Sequence, residues 1–347
     1  SDNYSSDGSY EYIQTITHPC VKILRPPSIK TMSTHFEYLL DQARGDWVTI
    51  VGSDDGVQPY FFSLADRLIE LANTQKIRVI NGERAHYFWE DFKEYENMQT
   101  LYGAEMRFII KSADKELLSG AGFFSMPQIY AGSLVHKDVI AHIKKSQNGI
   151  FFKSIAGDAY ASAAMASIGE RYIHSYIPLT WIGTSPEKQK VAELYDLPKD
   201  TIECAKELGG DYANLKHIGV TMWMWDAMLN ASMLQSPKTQ QFYRSKFATY
   251  IICAAIAKER YIYAKYMTDG EAGEQNLKNL MQKLDVNTTI VYVLAFILRF
   301  YRQDFFTRAW RKLGRICGLI PKPFRISTDY HSPTQNANIL ESCKLTQ

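Results

Sequence analysis

Asp54 and Asp55 stand next to each other at the end of an apolar run, Trp47-Val48-Thr49-Ile50-Val51, and inside the segment Gly52-Ser53-Asp54-Asp55-Gly56. Two neighbouring carboxylates repel each other, so packing gives no reason to place them together. A divalent cation does. Mg²⁺ and Mn²⁺ take oxygen ligands, typically one or two carboxylates completed by phosphate and water oxygens. Such an ion ties protein to diphosphate and offsets the charge that develops on a phosphate leaving group. Side chains alternate in an extended segment, which predicts one Asp on the metal and the other on a sugar or ribose hydroxyl. The same residues are also good turn chemistry, and Asp is a good cap before a helix; on the pair alone both readings stand.

The elements that must position this pair follow from the hydrophobic pattern. Up to about residue 185, short apolar runs alternate with helical spacing. Val21-Lys22-Ile23-Leu24 is a strand candidate stopped by Pro26-Pro27. Thr34–Arg44 reads as a helix, with Phe36, Leu39, Leu40 and Ala43 on one face and Gly45 as the stop. The run at 47–51 is a buried strand whose carboxyl end delivers the acids, the place where α/β folds build ligand sites. A helix follows Pro59, then a strand at 77–80. Strand candidates recur at 108–110, 127–135 and 172–181, with a small-residue helix at 159–168. This alternation predicts an α/β sandwich with a largely parallel sheet. Beyond about 200 the strand signals fade, and 201–208, 214–233, 238–267, 274–284 and 288–309 all read as helical. The tail after Pro321-Lys322-Pro323 reads as irregular.

Composition bounds the function classes. The 347 residues are 46% hydrophobic and 22% charged, with 39 Lys+Arg against 37 Asp+Glu. That excludes a disordered chain, a collagen-like repeat and a disulfide scaffold, and the length suits about two domains. A net charge of +2 argues against a general nucleic-acid binder. The 22 tyrosines suit a carbohydrate-facing surface or a packed core equally. Cys20, Cys204, Cys253, Cys317 and Cys343 show no metal-ligand spacing and read as reduced thiols of a cytoplasmic protein. The longest apolar run, Ile290–Leu298, has nine residues, against about twenty needed to span a bilayer. No secretory leader is read, and the opening at Ser1 rather than Met leads to the expectation of an N-terminally truncated sequence.

Two segments together resemble a known family. Gly45-Asp46-Trp47-Val48-Thr49-Ile50-Val51-Gly52-Ser53-Asp54-Asp55-Gly56-Val57-Gln58-Pro59 is similar to the DxD-type segment of family 2 glycosyltransferases. The opening Ser1-Asp2-Asn3-Tyr4-Ser5-Ser6-Asp7-Gly8-Ser9 is similar to that family's Asp-Asn-x-Ser-x-Asp-Gly-Thr segment after its second strand. The resemblance covers about residues 1–185. It implies a GT-A-like catalytic domain over 1–199, a Rossmann-like mixed sheet flanked by helices that lacks its first strand here. A mostly helical region over 200–325 and an irregular tail over 326–347 would follow. It implies a nucleotide-diphosphate sugar as donor and a glycan or lipid-linked sugar as acceptor in polysaccharide biosynthesis, with Mg²⁺ or Mn²⁺ as cofactor. Asp55 would bind the metal, Asp54 the ribose or donor sugar, and Asp2, with Asn3 beside it, the base. A sugar nucleotidyltransferase and a non-catalytic sugar-nucleotide-binding subunit are the competing readings.

Inverting transfer requires a base at the acceptor hydroxyl. The resemblance places one about a hundred residues beyond the acidic pair, at the start of a helix. Asp158 is the only acid in Phe151-Phe152-Lys153-Ser154-Ile155-Ala156-Gly157-Asp158-Ala159-Tyr160-Ala161-Ser162; a helix cap is its alternative role. Pro178–Pro186 is similar to the lead into a mobile loop of such enzymes, after which Lys188 and Lys190 are candidate diphosphate contacts or solvated charges. His174 reads as structural, and Trp89 as a sugar platform or a packing residue. From Arg299 to Arg325, eight cations face Asp304 alone, 8 − 1 = +7, interleaved with Phe300, Tyr301, Phe305, Phe306 and Trp310. That pattern suits an anionic membrane surface at the inner face of the cell membrane, or equally a packed helix with a solvated basic face. No nucleic-acid reading motif accompanies it.

Overall fold

A computed structural model describes residues 1–89, 99–100, 108–113, 126–154, 156–184, 227, 231, 245–263 and 270–300. The chain opens with the short helix α1 (Ser9–Gln14) and α2 (Met32–Gln42), followed by β1 (Trp47–Val48), β2 (Gly56–Val57), α3 (Phe61–Thr74), β3 (Val79–Phe88), β4 (Gln99–Thr100) and β5 (Phe108–Ser112). Next come β6 (Ser133–His136), α4 (Lys137–Ser146), α5 (Gly157–Ser167) and β7 (Arg171–Thr184), then three helices, α6 (Lys246–Tyr263), α7 (Gly270–Lys283) and α8 (Thr288–Phe300). The protein is mixed α/β. Its strands form one mixed sheet in the order β1-β6-β3-β7-β2, with β4 added to β3 and β5 to β7.

β3 and β7 are the long central pair. They run parallel from Ile80↔Ile173 to Phe88↔Thr184, with a register break between Gly82 and Arg84. The pleat sends alternate residues to opposite faces. Ile80, Leu134 and Ile173 pack under α3 with its Phe61, Leu64, Ala65, Leu68 and Ala72. Their neighbours Val79, Val135 and Tyr172 join the opposite cluster, with Val139 and Ile143 of α4 and the alanines of α5. Helices therefore cover both faces. α5 is buried nearly all round, from Ala159 to Ala166, and its small side chains allow that. Its first residue, Gly157, sits where an added Cβ would lie 3.1 Å from Ser33 Oγ of α2.

The sheet departs from the sequence expectation in two places. Among the described strand pairs only β3–β7 is parallel; β1–β6, β3–β6, β3–β4, β2–β7 and β5–β7 are antiparallel. Apolar runs report burial but not direction, which the connections decide. The strand expected at 21–24 is irregular instead. Leu24 O accepts the Asp2 amide at 3.0 Å, while Val21 is exposed; a strand exists only where a ladder pairs it.

The helical expectation holds over the described residues. α6, α7 and α8 surround a core of Cys253, Ala254, Ile256, Leu277, Leu280, Met281, Val291 and Ala295. No single helix among the described residues is long and apolar enough to cross a membrane. The expected helices at 201–208 and 214–233, the domain boundary near 199 and the tail lie outside the described residues, save 227 and 231.

Candidate functional site

The apolar run at 47–51 ends against a strained turn. Ile50 N–H donates to Ile129 O at 2.8 Å, and Ala131 N–H donates to Ile50 O at 3.0 Å, closing a parallel bridge between Ile50 and Tyr130. Ile129 and Ala131 both hold left-handed φ, 57° and 46°. That is rare for any side chain and rarest for a β-branched one, costing on the order of 1–3 kcal/mol at each position. The two residues bracket Tyr130 and fix where its ring points.

Its hydroxyl donates to Asp55 Oδ2. The same oxygen accepts Gly52 N–H at 3.1 Å, and Asp55 Oδ1 accepts Gly183 N–H of β7 at 2.9 Å. Asp55 N–H in turn donates to Gly52 O at 3.2 Å. The turn chemistry is realised on Asp55, whose carboxylate is at the same time gripped by three donors. Three donors hold the Asp55 carboxylate in one orientation. Burial first, then the Asp55 charge and hydrogen bond, push the Tyr130 phenol far above its ordinary range, with Asp54 and Asp158 adding to it. Tyr130 is therefore a permanent donor.

Gly52 explains how these groups come together. A Cβ there would lie 2.6 Å from Tyr130 Oη, 2.7 Å from Asp55 Oδ2 and 3.3 Å from Asp54 Oδ1. Three oxygens converge on a space that any side chain would fill. Measured from that shared point, the Asp54 and Asp55 oxygens are no more than 2.7 + 3.3 = 6.0 Å apart. The expectation that the two carboxylates point opposite ways assumed extended backbone; the turn brings both to the same side. Their backbone is locked from behind. Trp89 Nε1–H donates to Asp54 O at 3.2 Å, with the Trp89 indole edge-on to Tyr87 at 5.5 Å. Trp89 is thus a packing residue that also anchors the turn.

Asp158 lies in the first turn of α5 but is not its cap, which is Ala156. Its Oδ1 accepts Ala159 N–H at 2.8 Å, and the helix N-terminus favours its negative charge. Arg84 of β3 joins it to the acidic turn. Burial draws the Arg84 guanidinium below its ordinary value, opposed by the charges of Asp158, Asp55 and Glu83. Arg84 also donates to Gln128 Oε1. Gln128 N–H donates to Ser133 Oγ at 3.0 Å, and Ser133 Oγ–H to Asn81 Oδ1 at 2.9 Å. A buried polar chain thus braces the cation. Asp54, Asp55, Asp158, Tyr130 and Arg84 form one electrostatic cluster at the carboxyl end of the β1 run. His174 is buried, 3.2 Å from Glu83 Oε2, and structural as expected.

Asp2 and Asn3 are engaged elsewhere. Asp2 accepts Tyr4 N–H and Ser5 N–H at 3.0 and 3.1 Å and pairs with Arg25 at 2.6 Å. Hydrogen bonding from Ser5, then from Arg25, holds its carboxyl down to about 2. Asn3 brackets the Lys30 backbone with bonds of 2.8 and 3.0 Å. Both side chains organise the N-terminal segment and touch no residue of the acidic turn. Lys188 and Lys190 lie outside the described residues.

Sequence reasoning missed Tyr130, Arg84 and the glycines Gly52 and Gly183. Only the Gly52–Gly56 bracket gave a signal, since glycines beside charged residues mark close backbone approach. Among the described residues no three His, Cys, Asp or Glu side chains converge closely enough to hold a metal alone. The carboxylate oxygens of Asp54 and Asp55 nonetheless fit a hard divalent ion, which takes one or two carboxylates and completes its shell with phosphate and water. The chain matches no protein-family model and no curated protein.

Proposed function

We propose that the chain is a metal-dependent inverting glycosyltransferase of GT-A type, moving a sugar from a nucleotide-diphosphate donor to a glycan or lipid-linked acceptor. The observation that carries this reading is the convergence of Asp54, Asp55 and Tyr130 on the Gly52 space, in one electrostatic cluster with Asp158 and Arg84. Two oxygen-bearing acids at a strand end, with a third acid and a buried cation electrostatically coupled to them, are the parts that diphosphate departure and acceptor deprotonation call for.

In this reading Asp55 and Asp54 hold Mg²⁺ or Mn²⁺. When bound, the ion supplies charge to the departing diphosphate. The chain's own residues do the rest. Tyr130, which stays a hydrogen-bond donor, keeps the Asp55 carboxylate aimed. Asp158 takes the proton from the acceptor hydroxyl as that oxygen attacks the anomeric carbon from the face opposite the diphosphate. The charge of Arg84 and the α5 N-terminus both attract the Asp158 carboxylate. Asp2 and Asn3 act at the donor side by fixing the segment from Leu24 to Lys30, rather than through contact with the acidic turn.

The test is a panel of nucleotide sugars with Mn²⁺ and an acceptor mixture, read by nucleoside diphosphate release. Wild type should release the diphosphate with one donor. Chelator and Asp55→Ala should each lower that rate by at least ~100-fold, the scale for losing charge stabilisation of a leaving group. Pyrophosphate release from a nucleoside triphosphate and sugar phosphate would instead assign a nucleotidyltransferase. Full activity of Asp55→Ala would remove Asp55 from the metal role.

A further inference from the structure

The two oxygens of Asp55 are not equivalent. A carboxylate offers about four lone-pair positions, shared between its two oxygens. Oδ2 accepts both the Tyr130 hydroxyl and Gly52 N–H, the second at 3.1 Å, and these donors fill it. Oδ1 accepts Gly183 N–H at 2.9 Å, which leaves it at most one further position. An ion that meets Asp55 therefore meets it through Oδ1 alone. The arrangement is rigid, because the donors come from separate parts of the chain: Gly52 from the turn itself, Gly183 from the end of β7, and Tyr130 from the segment before β6. The Tyr130 ring is held by the left-handed residues on either side of it, by the bridge to Ile50 and by stacking on Phe36 at 5.9 Å. Its hydroxyl cannot swing away from Oδ2. The backbone of Asp54 is tied to Trp89, so the turn cannot spread to present its acids differently.

Rigid ligation through one oxygen sorts divalent cations by size and coordination number. Mg²⁺ takes octahedral geometry, is satisfied by one or two carboxylates, and keeps several waters. Ca²⁺ takes about six to eight oxygens in a flexible shell and gains from a carboxylate that offers both of its oxygens. We propose that Tyr130 determines which cation the acidic turn accepts: by occupying Oδ2 of Asp55 it withholds two-oxygen ligation and favours a small octahedral ion over Ca²⁺. This rests on the metal reading of Asp54 and Asp55 given above. Tyr130 is a positioning residue here and not a ligand, since it acts through Asp55. Removing its hydroxyl opens a position on Oδ2 beside the one on Oδ1, and Asp55 can then grip a larger ion with both oxygens. The phenol ring itself, packed on Phe36, is not needed for that selection.

The experiment measures cation binding by the full chain and needs no turnover. Mn²⁺ is the probe, followed by loss of the electron paramagnetic resonance signal of the free ion, with Mg²⁺ and Ca²⁺ titrated as competitors, alone and again with uridine diphosphate present. On wild type, Mg²⁺ should displace Mn²⁺ at least as well as Ca²⁺ does. Tyr130→Phe, which keeps the ring and its packing, should shift the ratio of the two competitors' affinities at least tenfold toward Ca²⁺, with circular dichroism unchanged. The ratio is the decisive readout: a hydroxyl that served only to stiffen the turn would, when removed, weaken both ions alike and leave it where it was. Should Tyr130→Phe not fold, Tyr130→Met, which also lacks the hydroxyl, is read in its place. An unchanged ratio in the folded variant, or a wild type that prefers Ca²⁺, overturns the proposal and leaves the metal reading standing. A wild type that binds none of the three ions, with or without the diphosphate, overturns the metal reading and the proposal with it.

Discussion

Gly183→Ala is the sharpest test of how the acidic turn is held. An added Cβ would lie 1.7 Å from Asp54 O and 2.7 Å from both Asp54 C and Trp89 Nε1. Real Cβ atoms essentially never approach closer than 3.0 Å, so the turn and β7 must part by at least about 1.3 Å. The neighbours that block it are backbone and a packed indole, neither of which can swing away. Gly183 N–H donates to Asp55 Oδ1 at 2.9 Å; parted along that direction, the pair would stand about 4.2 Å apart, too far for a hydrogen bond. Losing a bond to a charged group costs about 1.5–3 kcal/mol. A misplacement of about 1 Å at a reacting site costs about 100-fold in rate. The variant should therefore unfold at lower urea and lose about two orders of magnitude in donor turnover. Gly149→Ala is the control. Its φ is +88°, but nothing lies within 4 Å of the added carbon, so it should lose only the about 1–2 kcal/mol of left-handed backbone strain and keep its turnover. If Gly183→Ala matched wild type in both urea midpoint and rate, the packing described for Asp54 and Asp55 would be wrong.

Two further expectations concern Asp158 and Asp2. Asp158→Asn should lower kcat by about 10²–10⁴ and leave donor binding, measured by titration calorimetry, unchanged; a parallel loss of donor affinity would place Asp158 at the donor instead. Asp2 tests the N-terminal segment. Its carboxyl is held down to about 2 from an ordinary 3.8, so the folded state binds that proton less readily than the unfolded chain. Its stabilisation is therefore complete above about 3.8 and drains away as the pH falls toward 2. Asp2→Asn should lie below wild type in urea midpoint at pH 5, with the gap closing as the pH falls through that window. A gap independent of pH would exclude the charge as its source.

Much of the architecture was legible because periodicity follows burial. The helix after Pro59 shows Phe61, Leu64, Ala65, Leu68, Ile69 and Ala72 at helical spacing in the sequence, and all of them but the half-buried Ile69 form the buried side of α3 against the sheet. The small-residue helix at 159–168 was legible instead from its run of Ala and Ser, since α5 is buried nearly all round. Strand direction was not, because an apolar run such as 133–136 reads alike whether its partner runs with it or against it. The strand expected at 21–24 failed on the same ground, since pairing belongs to two segments and neither announces its partner.

The sequence by itself determined which residues are candidates for the chemistry: Asp54 and Asp55 stand out because like charges side by side need a reason, and Asp158 because the family resemblance implies an acid at the start of that helix, where it is the only one. The tertiary structure alone decided how they act together. Tyr130 lies 75 residues from Asp55 and Gly183 lies 128, and Arg84 sits on a different strand from all of them, so no local pattern could connect them. A carboxylate becomes a site only when distant donors fix its charge and direction, and those donors meet only in the folded chain.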